Sequence, residues 1–203
     1  PTYMDKSYSE DALKILSKYS LPFNLTLNET PKEEIYFEKV HNIPLVTNSH
    51  ALVGMEKRAH ELGYDVINIG ADLYGDSEEV IDKLLQASKP HSVVIGAGEP
   101  SVIVKGARGV TGRCQNLTMI SLEKIGLNDT LSSFASDGID NLSISSGAIA
   151  DSITLEKSRK YNLSISDVLN ENTIDEFFTK TEDQIITGAT NSNVSDLMIL
   201  LRK

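Results

Sequence analysis

The sequence has little cysteine, no tryptophan and few aromatic residues. Its single cysteine, Cys114, excludes an internal disulfide and a cysteine-rich metal centre. This scarcity favours a reducing compartment, and we expect a cytoplasmic protein. The apolar runs are far shorter than the ~20 residues that a membrane-spanning helix needs. No basic stretch followed by an apolar one opens the chain, so neither a secretory leader nor a membrane partner is predicted.

Positive charge is also scarce. The chain carries 19 Lys and Arg residues against 29 Asp and Glu residues, a formal net charge of -10. Binding to nucleic-acid phosphates needs an excess of basic side chains, so nucleic acid is not an expected partner. A small anion could still bind at a local cluster of basic residues. With 203 residues, of which 40% are hydrophobic, the chain can bury a substantial core.

The pattern of apolar residues predicts an α/β fold. Segments with helical spacing alternate with short apolar segments typical of strands, which favours a layered fold with a mostly parallel or mixed sheet flanked by helices. The predicted strands are 43–47, 66–69, 92–96, 102–105, 131–135, 184–187 and 197–201. The predicted helical segments begin at Ser9, Ser49, Asp76 or Ser77, Arg113, Ala148, Thr154, Ser166 and Ile174.

A polar stretch over residues 24–38, which includes Pro31, predicts a linker. We therefore expect residues 1–38 to comprise the tail of an upstream domain and a linker. Residues 39–203 are expected to form a C-terminal α/β domain. Because the chain begins at Pro1 with a pattern typical of the middle of a protein, we expect a fragment or a trimmed chain.

A glycine-rich stretch, 96–112, follows the predicted strand 92–96. Glycines let a backbone approach an anion closely, and a helix that begins near Gly112 would direct free N–H groups at this loop. Lys105, Arg108 and Arg113 add positive charge, and Arg113 could bind a phosphoryl or carboxylate group through two N–H groups. The stretch matches neither the P-loop nor the dinucleotide-binding fingerprint, so an ordinary glycine-rich turn stays an alternative.

Three further polar stretches lie at the ends of predicted elements. Asp137 and Asp140 follow a strand, where they could hold Mg²⁺, accept a proton from a substrate hydroxyl, or belong to a plain Asp-Gly turn. Residues 187–196 combine small hydroxyl and amide side chains around a glycine, which could form an anion-binding nest or a hairpin loop. Asn48 could reach a ligand, although Ser49 is most simply a helix cap.

Taken in order, these motifs resemble those of one family. The matching strings are Asn48 with Ala51-Leu52, Gly98-Glu99, Gly112-Arg113 with Gln115, Asp137-Gly138 with Asp140, and Thr187-Gly188 with Thr190, Asn193 and Asp196. The chain resembles the C-terminal half of the glycerate 2-kinases that carry a MOFRL domain, with the MOFRL-like region at about residues 92–203.

The resemblance implies transfer of the γ-phosphoryl group of ATP, with Mg²⁺, to the 2-hydroxyl of D-glycerate, which gives 2-phosphoglycerate. It also implies two α/β domains with the active site in the cleft between them. This chain would then lack the enzyme's own N-terminal domain and its catalytic lysine, and we expect the fragment alone to be inactive. A homodimer is left open.

Roles for single residues follow from the same resemblance. Arg113 would stabilise charge on the transferred group, and Asp137 would ligate the metal or orient the glycerate hydroxyl. Asp140 is a second candidate metal ligand. The residues expected to contact substrate or nucleotide are Asn48, Glu99, Lys105, Thr190 and Asn193. From charge alone, Glu99 is also expected to order the Arg113 loop through an ion pair.

The chain departs from the family pattern at Cys114, Asn116 and Ile144, the last of which replaces a carboxylate. These departures leave open a diverged acceptor or a weakened enzyme. Two other hypotheses stand beside the kinase. One is a noncatalytic module that binds a nucleotide or an anion on the same fold. The other is a pure interaction domain.

Overall fold

The computed structural model describes residues 3–24, 26–106, 109, 111–141 and 143–203. It divides the chain into two compact units, Pro1–Leu45 and Val46–Lys203. The first unit contains helix α1 (Ser9–Lys18) and a 3₁₀ turn (Glu34–Tyr36). The assignment of residues 1–38 to an upstream domain stays a prediction.

The second unit is a layered α/β domain, which confirms the predicted fold class. Its helices are α2 (Asn48–Glu61), α3 (Ser77–Ala87), α4 (Arg113–Ser121), α5 (Ser152–Lys160), α6 (Ile165–Glu171) and α7 (Ile174–Thr181). Its strands are β1 (Asp65–Asn68), β2 (Ser92–Gly98), β3 (Asp129–Ala135), β4 (Gly147–Ala150), β5 (Gln184–Ile185) and β6 (Asp196–Arg202).

The six strands form one mixed sheet in the order β1-β2-β6-β3-β4-β5. Strands β1 and β2 are parallel, whereas the other neighbouring pairs of described strands are antiparallel. Of the two sheet types expected, the mixed one is therefore correct. Strand β6 inserts between β2 and β3 and brings the last residues of the chain into the centre of the sheet.

Strand β2 is buried at every position because helices cover both of its faces. One face packs with α3 in a cluster that contains Val94, Met198, Leu200, Val80, Ile81 and Leu84. The other face packs with α2 in a cluster that contains Val93, Ile95, Ala97, Leu197, Leu52 and Ala59. A strand covered on both faces needs apolar residues without alternation, as the sequence here has.

Three segment predictions are wrong. Residues 43–47 form no strand, and Ile43 and Leu45 are exposed. The expected cap is also wrong, because helix α2 begins at Asn48 and its N-cap is Thr47 instead of Ser49. Residues 102–105 also form no strand. Residues 148–150 belong to a strand, not to a helix, because they pair with β3 on one side and β5 on the other.

Within the described residues, no helix combines the length and the hydrophobicity needed to cross a membrane.

Candidate functional site

A cavity of about 570 Å³ lies where β3 ends, β6 begins and α4 starts. Its lining includes four of the residues that the sequence predicts for a site, namely Arg113, Asp137, Asp140 and Asn193. The sheet register explains how segments distant in sequence meet here, because Ala135 at the end of β3 pairs with Asp196 at the start of β6.

The Arg113 guanidinium is held against a buried carboxylate. Its Nε donates to Oδ2 of Asp196 over 2.9 Å and its Nη2 donates to Oδ1 over 3.3 Å. Oε1 of Glu99 lies 3.7 Å from Nη2, so the expected ion pair is present as a longer contact. The hydrogen bond to Asp196 raises the pKa of Arg113, whereas burial raises the pKa of Asp196 against the opposing effect of the guanidinium.

Asp140 caps the start of α4. The helix has Gly112 at its N-cap, which offers no side chain, and the Asp140 carboxylate takes that role from a distant loop. Oδ1 accepts the N–H of Cys114 over 3.2 Å and Oδ2 accepts the N–H of Gln115 over 2.8 Å. These bonds satisfy two of the free N–H groups of the first turn, and the negative charge suits the positive end of the helix dipole.

Burial raises the pKa of Asp140 from 3.8 to about 6, although the two N–H groups of α4 act in the opposite direction. The folded protein therefore holds this proton more tightly than the unfolded chain. The tighter binding of this proton adds to the free energy of unfolding. The contribution is complete below pH ~4 and is lost as pH rises through the pKa of the folded state; the loss amounts to about 3 kcal/mol.

We predict that the stability of the protein relative to its Asp140→Asn variant falls by about 3 kcal/mol between pH 3 and pH 7. Urea unfolding of both proteins across this range measures the difference. Asp129→Asn is the control, because Arg202 lowers the pKa of Asp129 and the difference from the wild type should not fall over the same range. A constant difference for Asp140→Asn would contradict the prediction.

Residues 136–140, which follow β3 and form an acidic turn, are hydrogen-bonded to the loop that precedes β6. Oδ1 of Asp137 accepts the N–H of Ile139 over 3.1 Å, and Oδ2 accepts Nδ2 of Asn193 over 3.3 Å. The backbone N–H of Thr190 donates to the carbonyl of Asp137, and its Oγ1 donates to the carbonyl of Ser136. The loop joins strands that are not neighbours in the sheet, so the hairpin alternative is wrong.

Not every predicted residue lines this cavity. Nδ2 of Asn48 donates to the carbonyl of Ala71 over 2.8 Å at the start of α2. Lys105 lines a separate cavity of about 170 Å³ beside the start of α3. Thr190 holds the loop without being part of the lining, and Arg108 lies outside the described residues. Ligand contacts by Asn48, Glu99, Lys105 and Thr190 stay predictions.

Asp196 is the residue whose role the sequence reasoning missed. Two features of the sequence could have pointed to this role: Asp196 belongs to the last matching motif, and it is a charged residue at the start of an apolar strand. Cys114 is 1% exposed and burial raises the pKa of its thiol well above the usual value, which fits a packing role and not a nucleophile.

The side chains of the cavity fit a metal ion that is held by one or two protein carboxylates and otherwise by the phosphate oxygens of a bound molecule. The described residues contain no group of three or more His, Cys, Asp or Glu side chains that could hold a metal ion. Mg²⁺, however, commonly takes only one or two protein carboxylates and completes its shell with phosphate oxygens and water. Asp137 suits this arrangement better than Asp140, because Asp137 is only half-buried in the cavity lining whereas Asp140 is 3% exposed.

The fold and the cavity define the class of domain: a mixed-sheet α/β unit in which a helix start, a guanidinium and an acidic turn face one cavity. Residues 92–196, just over half of the chain, match the model of the MOFRL family. The chain belongs to this family, which confirms the resemblance found in its motifs.

Similar proteins extend over nearly the whole chain. A glycerate 2-kinase of Pyrococcus horikoshii is 26% identical over 99% of this chain and 51% of its own length. A D-glycerate 2-kinase of Thermotoga maritima is 30% identical over 98% of this chain and 51% of its own length. This chain thus spans about half the length of these curated relatives.

Two solved structures have the same fold. The crystal structure of a glycerate kinase from Thermotoga maritima superimposes with a TM-score of 0.73 at 28% identity and covers 98% of this chain and 51% of its own. A protein of Pyrococcus horikoshii gives a TM-score of 0.71 at 24% identity over the same shares of the two chains, which shows the fold alone.

Proposed function

We propose that this chain is the C-terminal part of a glycerate kinase that transfers the γ-phosphoryl group of ATP to the 2-hydroxyl of D-glycerate and forms 2-phosphoglycerate. The family and the names of the relatives support this activity. Since the relatives are about twice as long, we further propose that an N-terminal domain completes the active site and that this chain alone is inactive.

The observation that carries the proposal is the convergence of Arg113, Asp137 and Asn193 on one cavity. Phosphoryl transfer requires positioning and neutralisation of charge more than covalent chemistry. A guanidinium beside a carboxylate that can orient a hydroxyl supplies both. An interaction domain would need neither group in a shared cavity.

The charges of the cavity support a cation as part of the bound substrate. Among the described lining residues, Arg113 faces three carboxylates, those of Asp137, Asp140 and Asp196. An excess of negative charge repels both ATP and glycerate. We therefore propose that ATP binds with Mg²⁺ and that Asp137 is the protein ligand; the bound ion would neutralise phosphate charge.

Within this proposal each side chain has a distinct part. Arg113 donates hydrogen bonds to the phosphoryl group during its transfer from ATP and stabilises the transition-state charge that is spread over the phosphoryl oxygens. Asp137 alternatively orients the 2-hydroxyl of glycerate and accepts its proton as the new O–P bond forms. Asn193 and Ile139 keep the carboxylate of Asp137 in place through their hydrogen bonds.

A direct assay tests the proposal. The natural full-length protein is incubated with ATP, Mg²⁺ and D-glycerate, and the product is identified by ³¹P NMR, which separates 2-phosphoglycerate from 3-phosphoglycerate. We expect 2-phosphoglycerate with the full-length protein and none with residues 1–203 alone. Stabilisation of the full-length protein by ATP without any turnover would instead favour a noncatalytic nucleotide-binding module.

A further inference from the structure

We propose that Asp196 is a positioning residue for Arg113: it fixes the guanidinium so that the edge not engaged with the carboxylate faces the ligand in the cavity. The inference rests on the proposed function, because it assigns Asp196 an effect on phosphoryl transfer through another side chain.

The geometry of the pair selects one orientation of Arg113. Nε and Nη2 both bind Asp196, in the side-on arrangement that holds a guanidinium plane most firmly. No acceptor among the described residues binds Nη1, so this nitrogen is available to a ligand. The Asp196 side chain is 3% exposed and that of Arg113 is 45% exposed, so the anchor is buried and the anchored group reaches the cavity.

The backbone around Asp196 is itself fixed. Asp196 pairs with Gly98 of β2 on one side and with Ala135 of β3 on the other. The residues just before it are bound to the acidic turn, since Val194 donates its N–H to Oγ of Ser136 over 2.7 Å. The carboxylate therefore projects from backbone that is held by strands on both sides, as positioning to within a fraction of an ångström requires.

The opposite end of the same two strands supplies a matched control. Arg202 donates Nε and Nη2 to Asp129 over 2.7 and 2.8 Å, and the Asp129 side chain is also 3% exposed. Both pairs join a guanidinium side-on to a carboxylate that is 3% exposed, and both carboxylates lie on these two strands. Strands of seven residues separate them by roughly 20 Å. Only the Arg113 pair lies at the cavity, so a purely structural ion pair should behave alike at both ends.

The test compares Asp196→Asn with Asp129→Asn in the full-length protein. We expect Asp196→Asn to lower kcat on the order of 10- to 100-fold with a smaller change in the KM for ATP, because a displaced guanidinium loses most in the transition state. Asp129→Asn should keep kcat within about threefold of the wild-type value. A wild-type kcat for Asp196→Asn would overturn the inference.

A double-mutant cycle separates positioning from mere stabilisation. In an Arg113→Ala background there is no guanidinium to orient, so adding Asp196→Asn should change kcat less than threefold. A full additional loss in that background would refute the positioning role. If Asp196→Asn does not fold, Arg113→Lys takes its place, because lysine keeps the charge but cannot form the side-on pair; wild-type activity of that variant would refute the role equally.

A binding experiment keeps the inference separate from the kinase assignment. If the wild-type protein forms no phosphoglycerate, the proposed function is wrong. The positioning role of Asp196 is then tested separately, by NMR of the Arg113 Nε–H group during titration with inorganic phosphate. We expect a phosphate-dependent shift in the wild type and in Asp129→Asn that is lost in Asp196→Asn. An unchanged shift in Asp196→Asn, or none in the wild type, would overturn the inference.

Discussion

Replacing Arg113 by alanine should lower kcat/KM of the full-length protein on the order of 100-fold or more, the effect of removing a donor that stabilises charge in the transition state. Arg113 is the cation among the described residues that line the cavity, and three carboxylates surround the same space. Its removal leaves that negative charge unopposed. Initial rates of 2-phosphoglycerate formation at varied D-glycerate and ATP measure the loss.

Arg202→Ala is the control for this experiment. It deletes the same residue type from the same kind of side-on pair and leaves a carboxylate, Asp129, equally buried. The two variants should therefore lose similar stability, since each leaves one buried charge unpaired. Only Arg113→Ala should lose activity. Near-normal turnover by Arg113→Ala, with both variants folded by circular dichroism, would remove Arg113 from the mechanism.

Most of the fold could be predicted from local signals. Helix α3 has Asp76 as a cap that accepts the N–H of Glu79, followed by an apolar stripe, and it forms where expected. Strand β2 could be predicted because helices cover both of its faces, which requires an uninterrupted run of apolar and small residues in the sequence. The wrong assignments are segments whose state depends on pairing: 102–105 is apolar without a paired strand, whereas 148–150 finds partners on both sides.

The candidate site could be predicted in part for a related reason. Arg113, Asp137 and Asn193 each stand at an end of a predicted element, and such ends gather at one edge of a sheet. The partner of each residue could not be predicted. Arg113 and Asp196 are 83 positions apart, and no local pattern shows that β6 inserts beside β3 in the register that joins them.

The contact between Gly112 and Asp140 is of the same long-range kind, and it leads to the largest stability effect that we predict. A Cβ at Gly112 would lie 1.9 Å from both Cγ and Oδ1 of Asp140. The backbone of Gly112 has φ of -104° and ψ of 175°, which any residue adopts, so glycine is required here for space alone. Alanine must displace the carboxylate that caps α4.

We expect Gly112→Ala to lower the free energy of unfolding by about 3 to 6 kcal/mol. Overpacking costs about 1–3 kcal/mol, and losing one of the two hydrogen bonds from α4 to the displaced carboxylate costs about 1.5–3 kcal/mol more. Because α4 begins with Arg113, activity of the full-length protein should fall as well. Urea unfolding measures the free energy. A loss below about 1 kcal/mol would contradict the prediction, because it would mean that the loop carrying Asp140 moves aside without destabilising the protein.

Two further variants test the cause of this loss. Gly54→Ala is the steric control, since no atom lies within 4 Å of its added Cβ and the residue is inside α2. There alanine should stabilise the protein by about 0.5–1 kcal/mol through its helix propensity. In an Asp140→Ala background, Gly112→Ala should cost much less than in the wild type, because the carboxylate that it meets is gone. Equal costs in both backgrounds would mean that Gly112 is needed for a reason other than the close approach of Asp140.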